Sequence, residues 1–261
     1  MLERIVIFIL GTCVGSFLNV CIWRLPREES IVKPWSHCPH CNHKLAWYDN
    51  IPFLSYLILR GRCRYCKHPI SFRYFVVELI TASLFLGFFC HFGLSLTFLI
   101  YTALACALIV VTFIDLRHRI IPDEITISGL LLGLIISFCY PGLHGKSFRI
   151  LPIFSSALWA SVLGVIVGGG VIYLTGIAGN FIFKKESMGG GDVKLLAMVG
   201  AFLGWKLALF TLFSACIFGS IVGLPLKIWR KVELIPFGPF LSIGAIISII
   251  WGEEIIRWIL Y

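Results

Sequence analysis

Met188-Gly189-Gly190-Gly191-Asp192-Val193-Lys194 sets three glycines against a carboxylate, and the chain then stays apolar almost to Trp205. Asp192 therefore stands at the mouth of a segment with the character of a membrane helix. An ionisable group there is costly, and it points to function. The glycines let backbone or substrate approach closely and reach dihedrals closed to other residues. Composition agrees with a membrane origin. Of 261 residues, 59% are hydrophobic and 13% charged, against roughly 25% charged in a soluble domain. The expected fold is an all-α integral membrane protein forming a single polytopic domain over 1–261.

Apolar segments occur at about 5–23, 75–90, 94–114, 124–140, 153–174, 193–205, 207–226 and 240–259, which predicts about eight transmembrane helices. The first is kept as a helix rather than a cleaved signal: no small-x-small site follows it, and Trp23-Arg24-Leu25-Pro26 does. Asn19 within it is expected to bond a neighbouring helix. Between the first two spans lies the one long polar stretch, residues 24–73. Its apolar run Ile51 to Leu59 is too short to cross a bilayer and is expected at the interface. Gly-x-x-x-Gly spacings at Gly11/Gly15, Gly129/Gly133, Gly164/Gly168, Gly200/Gly204 and Gly219/Gly223 predict close-packed helix faces.

Charge sets the orientation. With the amino terminus outside, the loops 24–73, 115–123, 175–192 and 227–239, with Lys194 beside them, carry 17 of the 22 Lys and Arg residues. The outer side keeps Arg4, Lys146, Arg149, Lys206 and Arg257. Basic loops belong on the cytoplasmic side, facing anionic lipids. The net charge of +9 then needs no nucleic acid, and both termini are expected outside.

That topology singles out a second carboxylate. Asp115 closes the segment 94–114 on the face where Asp192 opens its own. If Trp205 and Lys206 mark the outer interface, thirteen residues separate Asp192 from it. At about 1.5 Å per residue this is roughly 20 Å, against a hydrocarbon core of about 30 Å. Asp192 would then sit some 10 Å inside the cytoplasmic boundary, and the loop Gly189, Gly190, Gly191 would line a watered cavity. The helix ending at Asp115 must tilt, or the bilayer thin, for the pair to meet. Two carboxylates that meet share one proton. The ionised one takes a proton from water while the protonated one polarises a carbonyl, which is acid–base hydrolysis of an amide. The same residues also fit ion pairs, Asp115 with Arg117 or Arg119 and Asp192 with Lys194, or proton and ion transport. No HExxH motif is present, and no serine–histidine pair presents itself.

Ten cysteines fall into two groups. Cys38, Cys41, Cys63 and Cys66 form two C-x-x-C pairs in the polar loop, with the spacing of a four-cysteine zinc site. In a reducing cytoplasm thiolates persist and metal is the better use. Four thiolates leave no open position, so the zinc would be structural. His37, His40, His43 and His68 are nearby alternatives as ligands. The other six cysteines lie in apolar segments and act as small hydrophobes.

Together these residues resemble the type IV prepilin peptidases, within the GxGD-type intramembrane aspartyl proteases. The resemblance rests on Gly15-Ser16-Phe17-Leu18-Asn19-Val20 with Arg24-Leu25-Pro26, and on the four-cysteine loop with Trp47-Tyr48-Asp49-Asn50-Ile51-Pro52. It continues through Phe72-Arg73-Tyr74 with Glu78, Asp115 with Ile121-Pro122-Asp123, Gly189-Gly190-Gly191-Asp192-Val193-Lys194, and Pro236-Phe237-Gly238-Pro239-Phe240. It implies a multi-pass enzyme of the bacterial inner membrane, with the protease carried by helices of 75–261 and Asp115 and Asp192 as its catalytic pair. It implies prepilin or pseudopilin substrates of a pilus or type II secretion system, cut after glycine on the cytoplasmic side. The new amino terminus is then methylated from S-adenosylmethionine. No glycine-rich nucleotide signature marks that donor's site, and Gly168-Gly169-Gly170 is expected to be helix packing. Glu28, Glu29, Asp49, Asp123, Glu124 and Glu186 are candidate acidic contacts for a basic leader. A peptidase of the same fold without methylation, and a transporter or scaffold, are the alternatives. Which pilin is processed, and the oligomeric state, are not legible.

Overall fold

The computed structural model describes all residues except 34, 39, 145–152, 185–187, 231–234 and 261. Lys146, Arg149, Lys185, Lys231 and Glu186 therefore lie outside the described residues. Two compact units are formed, residues 1–110 and 111–261.

In the first unit, α1 (Leu2–Arg24) packs along α3 (Arg73–Phe92), with the polar insertion between them. A Cβ added to Gly11 would stand 2.6 Å from Ala82 Cα, and one on Gly15 2.7 Å from Glu78 Cα, so glycine is what lets these backbones approach. One turn on, Asn19 donates to the Tyr74 carbonyl at 3.1 Å, the cross-helix bond expected of it. Within the insertion, a 3-10 turn (Trp47–Asn50) leads to α2 (Leu54–Ile58), whose Leu54, Leu57 and Ile58 are exposed. That suits an interfacial turn. α3 stops at Gly93, where φ is +62°. α4 (Leu96–His118) begins in this unit, and the division between units falls inside it.

In the second unit, α4 ends at His118 because Arg119 turns left-handed, with φ +57°. α5 (Asp123–Cys139) starts behind Pro122, and Asp123 and Glu124 complement the positive end of its dipole. α6 (Ile153–Phe183), α7 (Gly190–Arg230), α8 (Gly238–Ile247), a π-helical turn (Ser248–Gly252) and α9 (Glu253–Leu260) follow. α6 and α7 meet backbone to backbone: a Cβ on Gly164 would lie 2.0 Å from the Gly200 carbonyl oxygen, and one on Gly168 2.7 Å from that of Leu196. Gly129 and Gly133 of α5 face Met198 and Phe202 of α7. Gly219 and Gly223 differ. A Cβ there would meet Phe240 at 3.6 Å and Ile235 at 3.4 Å, which is ordinary contact.

α7 is two helices end to end, broken at Gly204 (φ +76°, ψ +173°), a conformation glycine adopts at least cost. Such a break takes helical partners from the carbonyls of the turn before it. The Ala201 carbonyl is satisfied from outside, accepting from Ser161 Oγ at 2.6 Å and Ser137 Oγ at 3.3 Å. Ser137 Oγ in turn lies 2.8 Å from His144 Nε2. A serine–histidine pair therefore does exist, contrary to the sequence expectation. Ser137 is fully buried and bound to a carbonyl, so the pair secures the helix break and is not a nucleophile.

Among the described residues, six helical stretches are long and apolar enough to cross a membrane. The break at Gly204 divides the fifth of these, Gly190–Trp229, in two. α5, with 17 residues, adds about 26 Å of apolar rise. The expected eight segments are accounted for.

Candidate active site and metal centre

The second unit brings three helix ends to one place. Asp115 stands in the last turn of α4 and is 5% exposed. Asp192 stands in the first turn of α7 and is half-buried. The third end is the start of α8, where the Gly238 N–H donates to Asp115 Oδ2 at 3.0 Å. Ile121 packs between them: a Cβ on Gly191 would lie 2.9 Å from its Cβ, and one on Gly238 3.4 Å from its Cδ1. The carboxyl groups of Asp115 and Asp192 are close enough to interact electrostatically.

The glycines do their work differently from the expectation. α7 begins at Gly190, so Gly190 and Gly191 are helical and only Gly189 precedes the helix. None of the three has a positive φ. What glycine supplies is room. A side chain at 191 would strike Ile121, and a Cβ at 189 would stand 3.4 Å from Asp192 Oδ2. The Gly189 carbonyl caps the turn by accepting from the Asp192 N–H at 3.1 Å.

The alternative pairing of Asp192 with Lys194 is not what forms. Lys194 Nζ lies 2.7 Å from both carboxylate oxygens of Asp123, across the start of α5. Two of the candidate leader contacts are thus engaged elsewhere, Asp123 with Lys194 and Asp49 with Arg64 Nε at 2.7 Å. Glu28, Glu29 and Glu124 remain exposed. Gly238 was missed as a site residue. Its only sequence signal is the Pro236-Phe237-Gly238-Pro239 run, and nothing local there names Asp115 as its partner.

In the first unit, Cys38, Cys41, Cys63 and Cys66 converge, their sulfurs all within 4.8 Å of one another. The loop builds this from two alike turns. Cys38 N–H donates to His43 O and Asn42 N–H to Cys38 O, and Cys63 N–H to His68 O and Lys67 N–H to Cys63 O. Asn42 and Lys67 take left-handed φ of +53° and +58° at equivalent places. The Cys66 N–H aimed at the Cys63 sulfur, with help from Tyr65 and the neighbouring thiols, brings that thiol down to about 7. Zinc–sulfur bonds of about 2.3 Å in a tetrahedron set sulfurs about 3.8 Å apart, and Cys38 Sγ lies 3.9 Å from Cys66 Sγ. The donor set fits a metal ion. The histidines flank it, with His40 stacked on His68 at 4.1 Å and His43 against Tyr65 at 3.6 Å.

Helical spans, a carboxylate pair at adjoining helix ends and a four-cysteine loop define a polytopic membrane protein with two candidate sites. Residues 102–224 match the type IV leader peptidase family, and residues 9–92 match the bacterial Peptidase A24 N-terminal domain. A prepilin leader peptidase/N-methyltransferase of Stutzerimonas stutzeri is 36% identical, covering 95% of this chain and 90% of its own. The protein of that name from Aeromonas hydrophila is 37% identical, covering 97% and 92%. Its namesake from Myxococcus xanthus (strain DK1622) is 41% identical over 85% of this chain, a match that spans 63% of that protein. The chain belongs to the type IV leader peptidase family. No solved structure matches it.

Proposed function

We propose that this chain cleaves the leader of type IV prepilins or pseudopilins and then N-methylates the new amino terminus. The observation that carries the reading is the meeting of Asp115 and Asp192 at adjoining helix ends, in a chain whose relatives are named for this activity. The two carboxyls share one proton. Gly238 holds Asp115 in position through its N–H. The ionised carboxylate draws a proton from water, which adds to the carbonyl of the scissile bond while the protonated partner polarises its oxygen. Collapse of the tetrahedral species returns a proton to the leaving amine and frees the leader. The protease chemistry is carried by helices within 75–261, and residues 24–73 are an insertion between the first two spans of one polytopic domain. The protein sits in the bacterial inner membrane with its basic loops toward the cytoplasm and anionic lipids, and both termini outside. Nucleic acid is no partner.

S-adenosylmethionine supplies the methyl group when bound. The deciding experiment mixes the protein, purified into lipid, with a prepilin-like peptide and S-adenosylmethionine, and weighs the products. Loss of the leader and gain of one methyl group are expected. An unchanged peptide mass defeats the reading.

The metal at the four cysteines is zinc, held by Cys38, Cys41, Cys63 and Cys66, and it crosslinks the loop without touching substrate. One zinc per chain is expected by elemental analysis, and Cys63→Ser should lose it. Because the ion is structural, leader cleavage by C63S should stay within about threefold of wild type, consistent with a closed site. Collapse of cleavage together with zinc content would move the ion into the protease machinery.

A further inference from the structure

Glu78 is a carboxylate on a helix that crosses the membrane, 7% exposed, and the hydrolytic pair does not use it. Its Oε2 accepts the Phe53 N–H at 3.0 Å, and the Ser16 hydroxyl is a further donor. Phe53 is held at φ +59°, ψ −54°, a strained setting for an aromatic residue. The rings of Phe8 and Phe75 lie 6.2 and 5.0 Å from that of Phe53, so the residue that donates to Glu78 is held in an aromatic cluster. A carboxylate has about four acceptor sites, so two donors leave it unsaturated.

Asn19 lies on the same α1–α3 seam, one turn from the Gly15–Glu78 contact. Its amide nitrogen donates to Tyr74 O at 3.1 Å and Gly15 O at 3.3 Å. Its Oδ1 has no partner among the described residues, although the residue is only 1% exposed. An orphaned buried acceptor is costly. The cluster therefore holds spare acceptors. Ser16 and Asn19 face it from α1, the Phe53 N–H from the inserted loop, and Tyr74 from the preceding turn of α3. None of these carries charge. What completes such a site is a small group rich in N–H donors and positive charge.

We propose that Glu78 and Asn19 receive the α-ammonium group of the cleaved substrate, and that Glu78 removes its proton for methyl transfer. This rests on the N-methyltransferase reading above. An α-ammonium has three N–H donors, and at an ordinary pKa of about 7.7–8.0 most of it is protonated at pH 7. It cannot attack until a proton leaves. With the proton on Glu78, the nitrogen lone pair forms a bond to the methyl carbon. The carbon–sulfur bond of the donor breaks as it does so, with its electron pair staying on sulfur. Glu78 then passes the proton to water.

The test uses the full-length protein in lipid and a pre-cleaved mature peptide. Glu78→Gln should keep leader cleavage within about threefold while methylation at pH 7 falls by on the order of 10²–10⁴-fold. The deficit should shrink as pH rises past about 8, where the amine deprotonates unaided; a purely structural role gives no such rescue. Glu78→Asp, which keeps a base, should retain more methylation than E78Q. Without any methyl donor, wild type should bind the free-amine peptide about 10–100-fold tighter than its N-acetylated form, as expected for charge-assisted bonds, and E78Q should lose that preference. Methylation by E78Q at the wild-type rate, or parallel loss of cleavage and methylation in both variants, overturns the assignment. A wild type that cleaves but adds no methyl group overturns the N-methyltransferase reading itself, and is told apart because no variant is then involved.

Discussion

Asp192→Asn and Asp115→Asn are each expected to lower leader cleavage by on the order of 10³–10⁴-fold, the scale of a positioned acid or base. Asparagine keeps the volume and one acceptor oxygen, so at position 115 it can still take the Gly238 N–H and the helix ends should stay in place. What it removes is the group that can gain and lose a proton. The double variant should be little worse than either single one, because groups that act as a unit fail as a unit. Thermal unfolding in detergent should shift little in any of them. Normal cleavage by either single variant would remove the pair from the mechanism. The transporter or scaffold alternative makes the opposite forecast: Asp→Glu swaps at either site should be mild, and no peptide bond should be cut even by wild type. Methylation of a pre-cleaved peptide should survive both substitutions, since the Glu78 cluster belongs to the other unit.

Much of the architecture was legible because lipid leaves the backbone few options. An apolar run long enough to cross must close its own hydrogen bonds, and so the eight runs became helical. Ends were less legible than existence. α6 continues to Phe183, well past the expected 174, and α7 starts at Gly190 rather than after Asp192. Glycine is a poor helix former in water, and that bias misplaces a helix start whose glycines are there for close packing. Asp115 and Asp192 were visible for the reason that any ion in an apolar run is visible: it is costly unless used. Partners brought together only by the fold were not visible. Lys194 is two residues from Asp192 in sequence, yet its ammonium reaches Asp123. Ser137 and His144 meet only because Gly204 breaks α7 and leaves the Ala201 carbonyl needing donors.

Gly238→Ala should lower cleavage by on the order of 10²-fold, although it adds one methyl group and removes no functional one. The added Cβ would stand 2.7 Å from Asp115 Oδ2, 3.3 Å from its Cγ and 3.4 Å from Ile121 Cδ1. Something must move. The backbone at 238 opens α8, in a run where Gly238, Pro239 and Phe240 are all buried, whereas the carboxyl is the free end of a side chain and is the easier group to displace. Turning it away breaks its bond to the Gly238 N–H and carries one oxygen out of register with Asp192. A displacement of about 1 Å in a reacting group costs on the order of 10²-fold, and the loss should fall on kcat with KM little changed, because no surface that binds the rest of the substrate is altered. Gly219→Ala is the matched control: its Cβ would meet Phe240 at 3.6 Å, ordinary contact, so cleavage should stay within about twofold, as expected of a change that touches no strained contact. Wild-type turnover by G238A would mean that the α8 terminus does not set the Asp115 carboxyl. A kcat defect confined to G238A would mean that this one backbone N–H, supplied from 123 positions along the chain, holds the acid where the chemistry needs it.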